Sequence, residues 1–115
     1  MIVKGTDLDI FSEGIPRAGS GKIAGYRYLS AEEMKNKTAG FYVNELMPES
    51  EIGFHQHVGN EEIYFILSGK AIVNDNGNEV IVGPGDLVFT QSGEYHGMKN
   101  IGEEKLRFVA FIINL

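Results

Sequence analysis

The sequence predicts an all-β barrel or sandwich made of short strands and tight turns. Fifteen glycines are scattered between short apolar runs in a chain of 115 residues, as expected where turns join successive strands. The Asn76-Gly77 pair accepts the positive φ angles of a type I′ turn, so it predicts a hairpin between residues 71–73 and 80–82. Helix signals are confined to residues 30–35. We therefore expect an all-β class with at most one short helix.

The predicted elements follow one another along a single domain, residues 1–115. Residues 1–22 are expected to form an N-terminal arm and loop, and the main barrel strands are expected within residues 40–115. Ser30 and Glu33 have the spacing of a capping box, which predicts one or two helical turns. Strands are expected at residues 23–29, 41–47, 63–67, 71–73, 80–82, 87–89, 94–99 and 105–113. A chain of this length has room for one modest core.

Composition narrows the partners and the location of the protein. The net charge is −6 and no run of Lys or Arg occurs, which argues against a nucleic-acid partner. The chain has no cysteine, so disulfides and thiolate metal ligands are excluded and a reducing compartment is suitable. No apolar run approaches membrane-spanning length, and the N-terminus lacks the apolar core of a signal peptide. We therefore expect a cytoplasmic protein that binds neither nucleic acid nor membrane.

Three histidines and one glutamate have spacings that let them share one metal ion. Residues two apart on a strand point to the same face, so His55 and His57 can approach one ion together. A hairpin after His57 would set Glu62 beside them, with Glu61 as the alternative carboxylate. His96 lies far along the chain, after a predicted turn that could fold it back onto the same face. Neutral imidazoles with a carboxylate suit a divalent ion that keeps open positions.

The residues around these candidates resemble the two cupin motifs. The stretch from His55 to Gly69 resembles the first motif, G-x5-H-x-H-x4-E-x6-G, and residues 85–100 resemble the second, G-x5-P-x-G-x2-H-x3-N. Glu49 stands where the first motif has Gly, and Gln91 stands where the second has Pro, both at turn positions. Eight of the ten fixed positions match: His55, His57, Glu62, Gly69, Gly85, Gly93, His96 and Asn100.

The cupin resemblance has consequences for fold, cofactor and assembly. It implies a double-stranded β-helix, or jelly-roll barrel, that holds one divalent transition metal through His55, His57, Glu62 and His96. A site of imidazoles with one carboxylate does not choose among Mn, Fe, Ni, Co and Zn. Cupins often dimerise, so the resemblance favours a homodimer. Residues 108–113 are apolar on both strand faces, and their outer cover is either the N-terminal segment or a second subunit.

Five residues are candidates for the wall of a small-molecule pocket, because they are expected to face inward on the barrel strands: Arg27, Tyr42, Tyr64, Phe89 and Met98. Tyr64 alternates with Glu62 on one strand, and Arg27 is the candidate cation for an anionic ligand. The competing interpretations are ordinary core side chains and a surface guanidinium. Asn100 is expected either to orient His96 or to cap a turn.

The resemblance also implies a class of activity. It favours a metal-dependent enzyme that acts on a small polar or anionic metabolite, such as a sugar derivative or an organic acid. Dioxygenation, decarboxylation and isomerisation are the reaction types considered, and no catalytic residue is assigned. The alternative is a non-catalytic module that captures a metabolite or a metal.

Overall fold

The computed structural model describes residues 1–115, and nearly all of its regular structure is strand. The strands are β1 (Ser12–Gly14), β2 (Ile23–Ser30), β3 (Thr38–Leu46), β4 (Glu51–Gln56), β5 (Asn60–Ser68), β6 (Ala71–Asp75), β7 (Asn78–Val82), β8 (Leu87–Thr90), β9 (Tyr95–Asn100) and β10 (Leu106–Asn114). A single 3₁₀ turn, Gly5–Asp7, precedes them. The all-β prediction is confirmed. No helix in the structure has the length and apolar character needed to cross a membrane.

The strands form two antiparallel sheets that face each other. One sheet has the strand order β1-β2-β3-β10-β5-β8, and the other has the order β4-β9-β6-β7. From β3 onward the chain crosses repeatedly from one sheet to the other, with only the β6–β7 hairpin staying in one sheet. This winding is the double-stranded β-helix, or jelly roll, that the cupin resemblance implied.

The core lies between the two sheets and is built by inward-facing residues of both. Phe108, Leu46 and Ile66 have no exposed surface and belong to one cluster of 12 buried residues. Strand alternation continues from Ile66 through Tyr64 to Glu62, all three of which are buried on the inner face of β5. The strand that contributes to the apolar core therefore also carries a carboxylate into the barrel.

Residues 31–36 form a turn instead of the expected helix. The capping box does form: the Ser30 N–H donates to Glu33 Oε1 over 3.0 Å, and the Glu33 N–H donates to Ser30 Oγ over 3.1 Å. Lys35 and Asn36 adopt left-handed φ angles of 54° and 58°, a conformation that ends helices. The capping box that begins a helix is therefore present, but the left-handed residues after it prevent a helix from extending.

A β-bulge in β4 sets the direction of the candidate ligands. The pairing of β4 with β9 shifts between Ile52, opposite Met98, and His55, opposite His96. The extra residue reverses the alternation of side chains along β4. Both Ile52, a core residue, and His55 therefore face the barrel interior. Without the bulge, His55 would point to the outside.

The turn before β4 keeps a glycine-like conformation without glycine. Glu49, which stands where the first cupin motif has Gly, has a φ angle of 64°. This left-handed region costs an ordinary side chain free energy that glycine avoids. The departure from the motif therefore changes the residue but leaves the backbone path intact.

The outer face of the six-stranded sheet is apolar and only partly covered. Met1 and Val3 line a shallow cavity with Tyr28, Leu29 and Phe41, so the N-terminal segment covers the β2–β3 side. Four outward side chains of β5 and β8 remain exposed: Phe65 by 38%, Leu67 by 38%, Leu87 by 57% and Phe89 by 44%. The sequence indicated the N-terminal segment and a second subunit as alternative covers of this face. The N-terminal segment does cover part of it.

Candidate metal centre

Three strands bring the four sequence-predicted ligands together inside the barrel. His55 lies in β4, His57 directly follows that strand, Glu62 lies in β5 and His96 lies in β9. One donor atom from each side chain lies within 4.8 Å of every other. His55 is half-buried and the other three are buried. The pairing of β4 with β9 sets His96 directly opposite His55, which no local sequence rule predicts.

The donor atoms that face one another are closely spaced. His96 Nε2 lies 3.0 Å from His57 Nε2 and 3.1 Å from His55 Nε2. Glu62 Oε1 lies 3.1 Å from His57 Nε2 and 3.3 Å from His96 Nε2. Two donors at right angles, each about 2.1 Å from a metal, stand about 3.0 Å apart. The side chains therefore already have the spacing of ligands around one ion.

The second ring nitrogen of each histidine is held by an oxygen atom. The Nδ1 distances are 2.6 Å from His55 to Gly53 O, 2.7 Å from His57 to Asn60 Oδ1, and 2.8 Å from His96 to Thr90 Oγ1. Gly53 O and Asn60 Oδ1 are carbonyl oxygens and only accept hydrogen bonds, so Nδ1 of His55 and of His57 is the donor, whereas the Thr90 hydroxyl can donate or accept. In their neutral forms, His55 and His57 then turn the Nε2 lone pair toward the common centre. Outer partners of this kind fix ring orientation in metal sites.

Burial and charge make the cluster attractive to a cation. Burial, the largest influence on Glu62, raises its pKa, but hydrogen bonds from His57 and His96 together outweigh it and lower the pKa to about 2. The hydrogen bond with Glu62 raises the pKa of His57, whereas burial lowers the pKa of His55. Glu62 thus stays ionised and favours protonation of its neighbour His57, which indicates a negative electrostatic potential at the cluster. A metal ion that binds here competes with protons for the same side chains.

The donor set fits a divalent transition metal. Imidazole lone pairs that meet within 3.1 Å repel one another unless a proton or a cation lies between them. Glu62 adds a negative charge that a metal would neutralise. Imidazole nitrogens and a carboxylate suit Mn, Fe, Co, Ni and Zn, and they do not select one of these. The geometry thus supports the coarse prediction of a possible metal site.

Two of the predicted pocket residues face inward on the strands that carry Glu62 and His96. The Tyr64 ring stacks on the His96 ring, with centroids 5.0 Å apart and planes inclined by 15°. Burial raises the pKa of Tyr64 well above its usual range, and the charge of Glu62 adds to this, so the hydroxyl stays protonated. Met98 follows His96 on the same face of β9, is 1% exposed and belongs to the apolar core. Tyr64 is therefore a wall of the cluster, and Met98 packs in the core.

Tyr42 and Arg27 lie on the inner face of the sheet but have other partners. The Tyr42 ring packs partly against the core, and its hydroxyl donates to Ala39 O over 3.2 Å. The Arg27 guanidinium lies 4.1 Å from the centroid of the Phe11 ring, the geometry of a cation–π contact. Arg27 is thus held by an aromatic partner in the N-terminal arm.

Phe89 lies on the opposite face from the one predicted. Val88 and Thr90 are the buried residues of β8, so alternation turns Phe89 outward, where it is 44% exposed. Its register partner on the neighbouring strand is Ile63, which also faces outward. A strand of four residues that is apolar at three positions contains no pattern from which its inner face can be read.

Asn100 caps a turn, as one of the two sequence interpretations proposed. Its Nδ2 donates to Leu46 O over 3.0 Å and to Glu104 O over 2.8 Å, and its Oδ1 accepts from the Gly102 N–H. These three bonds use the buried amide to join the end of β3 to the turn after β9. The orientation of His96 is fixed by Thr90 instead.

Arg17 is a cation near the cluster that the sequence did not single out. After the larger effects of burial and hydrogen bonding, its charge also acts on the pKa values of His55, His57 and Tyr64. Its backbone carbonyl accepts a hydrogen bond from the Gly53 N–H over 2.9 Å. This contact joins a loop to β4 through backbone atoms, so no side-chain spacing in the sequence could have revealed it.

The chain forms a jelly-roll barrel, and three histidines and one glutamate converge inside it. These two features define a class of barrel proteins whose interior could hold a metal ion. The family model described as "Cupin domain" matches residues 42–112. The chain belongs to the cupin family.

Relatives with oxalate in their names resemble the whole chain. A protein named oxalate-binding protein, from Thermotoga maritima, is 39% identical over 115 residues, which cover 100% of this chain and 95% of that protein. The crystal structure of a predicted oxalate decarboxylase from the same organism superposes with a TM-score of 0.95 at 39% identity over 100% of both chains. A polyketide cyclase from Streptomyces resistomycificus superposes with a TM-score of 0.78 at 18% identity, over 100% of this chain and 84% of its own, and shares the fold alone.

Proposed function

We propose that this protein binds a divalent transition metal and uses it to hold oxalate or a similarly small dicarboxylate, with the metal bound by His55, His57, Glu62 and His96. The observation that carries the proposal is the convergence of four donor atoms within 4.8 Å. The ligand class is supported by the oxalate-binding relative, which is 39% identical over the full length of this chain.

Oxalate has the chemistry that such a centre accepts. Four protein donors leave about two positions on a six-coordinate ion, and two adjacent carboxylates can fill both with one oxygen each. A bound ion would supply Lewis acidity and positive charge. The chain's own residues would do the rest: Glu62 stays ionised beside the histidines, and the stacked ring of Tyr64 excludes water from the inner side.

Binding is proposed ahead of catalysis because the surroundings of the cluster offer few proton donors. Decarboxylation of oxalate breaks the C–C bond, and the new C–H bond needs a proton from a group within hydrogen-bond reach. The cluster contains one carboxylate, Glu62, and that carboxylate is a proposed ligand of the ion. The Tyr64 hydroxyl is a weak acid, because its pKa is raised. Decarboxylation is the enzymatic alternative.

Oxalate is expected to bind the metal-loaded protein at about one site per chain. After chelation of the metal, we expect affinity to fall at least about a hundredfold, since the positive charge that holds both carboxylates is gone. Calorimetric titration of oxalate into Mn²⁺-loaded and chelated protein measures both values. Equal affinity with and without metal would contradict the proposal. Formate assayed in the same samples separates turnover from simple binding.

The exposed apolar half of the outer face is proposed to bind a second copy of the chain. Ile63 lies between Phe89 and Phe111 in the register of neighbouring strands, which makes a continuous apolar row. Phe65 lies beside Leu87 in the next row. The N-terminal segment covers the other half of this face. A self-complementary apolar patch on one sheet favours a two-fold dimer.

The double variant Phe65→Glu and Phe89→Glu is expected to be monomeric, whereas the wild type is expected to sediment as a dimer. Four buried carboxylates at a two-fold interface carry a desolvation cost that the apolar contact cannot offset. Ile81→Glu is the matched control, because Ile81 is 59% exposed on the other sheet and should leave the dimer intact. Sedimentation velocity measures the state. A monomeric wild type would refute the dimer.

A further inference from the structure

We propose that Arg17 is the residue that selects a doubly charged ligand at the metal centre, by pairing with the carboxylate oxygens that the metal leaves free. The assignment rests on the proposed function and adds the residue that determines which ligand charge the site prefers. Arg17 follows the buried Pro16 in a turn that the Gly19 N–H closes by donating to Pro16 O over 3.1 Å.

The loop that carries Arg17 is fixed to β4 at very short range. A Cβ on Gly53 would lie 1.8 Å from Ala18 O, and a Cβ on Gly19 would lie 1.7 Å from Glu51 O. Glycine on each side therefore permits a backbone approach that no other residue allows. The Gly53 N–H donates to Arg17 O over 2.9 Å, which completes the junction. The position of Arg17 is thus built into the barrel.

Gly53 connects Arg17 directly to the metal cluster. Its N–H is bonded to Arg17 O, and its carbonyl accepts from His55 Nδ1 over 2.6 Å. The arginine therefore begins two hydrogen bonds away from a ligating ring.

Arg17 is also the arginine whose guanidinium is available to pair with a ligand. Arg27 lies over the Phe11 ring, and Arg107 is paired with Glu45 over 3.2 Å. The side chain of Arg17 is exposed and takes part in no ion pair, hydrogen bond or aromatic contact of the structure. A guanidinium that has no partner, on a residue whose backbone is anchored beside the site, is suited to a carboxylate that arrives with the ligand.

Charge balance favours a dianion in this arrangement. A divalent ion and the Glu62 carboxylate leave one positive charge at the centre. A monocarboxylate would neutralise that charge, whereas a dicarboxylate would leave one negative charge over. Arg17 supplies the missing positive charge. It should therefore contribute to oxalate affinity far more than to acetate affinity.

The test compares Arg17→Gln with Arg27→Gln, each loaded with Mn²⁺ and titrated with oxalate and with acetate. For Arg17→Gln we expect about one metal per chain, an unchanged melting temperature, oxalate affinity reduced about ten- to hundredfold and acetate affinity changed less than about threefold. Arg17→Lys should lose less oxalate affinity, because it keeps the charge without the planar fork. Arg27→Gln should match the wild type.

Four results would overturn the assignment: wild-type oxalate affinity in Arg17→Gln, equal losses for oxalate and acetate, the same loss in Arg27→Gln, or loss of metal from Arg17→Gln. A wild-type protein that holds Mn²⁺ but binds no oxalate would overturn the proposed function, and the Arg17 assignment with it. These outcomes are distinct, because the first four are read in variants after the wild type has bound oxalate.

Discussion

The His57→Ala variant is expected to lose at least about a hundredfold in transition-metal affinity. Loss of an outer partner of a metal ligand costs ten- to hundredfold, and loss of the ligand itself should exceed that range. His57 is 2% exposed and its Nε2 lies 3.0 Å from His96 Nε2 and 3.1 Å from Glu62 Oε1, so the remaining side chains have no substitute for it. Competition with a metal-binding dye, for Mn²⁺ and Zn²⁺ separately, measures the change.

Gln56→Ala is the matched control for this variant. Gln56 precedes His57 but points away from the cluster, where its Nε2 donates to Gly93 O over 3.0 Å. The control should keep wild-type metal affinity. If His57→Ala retained that affinity too, while Glu62→Gln lost it, the ion would be bound by a different set of residues. Far-ultraviolet circular dichroism of each variant verifies that the fold is intact.

Removing the metal is expected to lower the melting temperature by about 16 °C. The ion would join β4 and β9 of one sheet to β5 of the other, so it binds the folded chain and not the unfolded one. At a metal concentration about a thousandfold above the dissociation constant, this linkage contributes about 4 kcal/mol. The melting temperature of a domain of this size changes by about 4 °C for each kcal/mol of stability. Calorimetric melting with and without chelator measures the shift.

His57→Ala serves as the control for the chelation experiment, because a variant without the site should melt at the same temperature in both conditions. The same shift in wild type and variant would mean that the chelator acts elsewhere. A wild type that keeps its melting temperature while losing its metal would show that the ion does not tie the strands together.

The strands were largely predictable, because the hydrophobic pattern and turn residues agree along most of the chain. The Asn76-Gly77 hairpin is an example: β6 and β7 pair on either side of it, and both residues have positive φ angles. The short β1 was missed, since Ser-Glu-Gly has no strand pattern. The helix predicted at residues 30–35 does not form: the capping box signals a helix start, but it gives no information on the left-handed residues that follow it.

The candidate ligands were predicted from motif spacing, but the structural feature that orients their side chains was not. Alternation alone says that His55 and His57 share a face, without saying which face. That choice depends on the bulge before His55, which arises from pairing with β9. The cation near the cluster was expected at Arg27 and lies at Arg17, because the junction at Gly53 is a backbone contact between distant segments.

Elemental analysis of the untagged wild-type protein tests the central claim most directly. The histidine arrangement predicts about one transition-metal ion per chain, either as purified or after loading with Mn²⁺ and removal of the excess. Absence of a histidine tag matters, because a tag binds the same metals. A protein that is metal-free as purified and takes up none of Mn, Fe, Co, Ni or Zn would contradict the metal centre and the oxalate-binding function built on it.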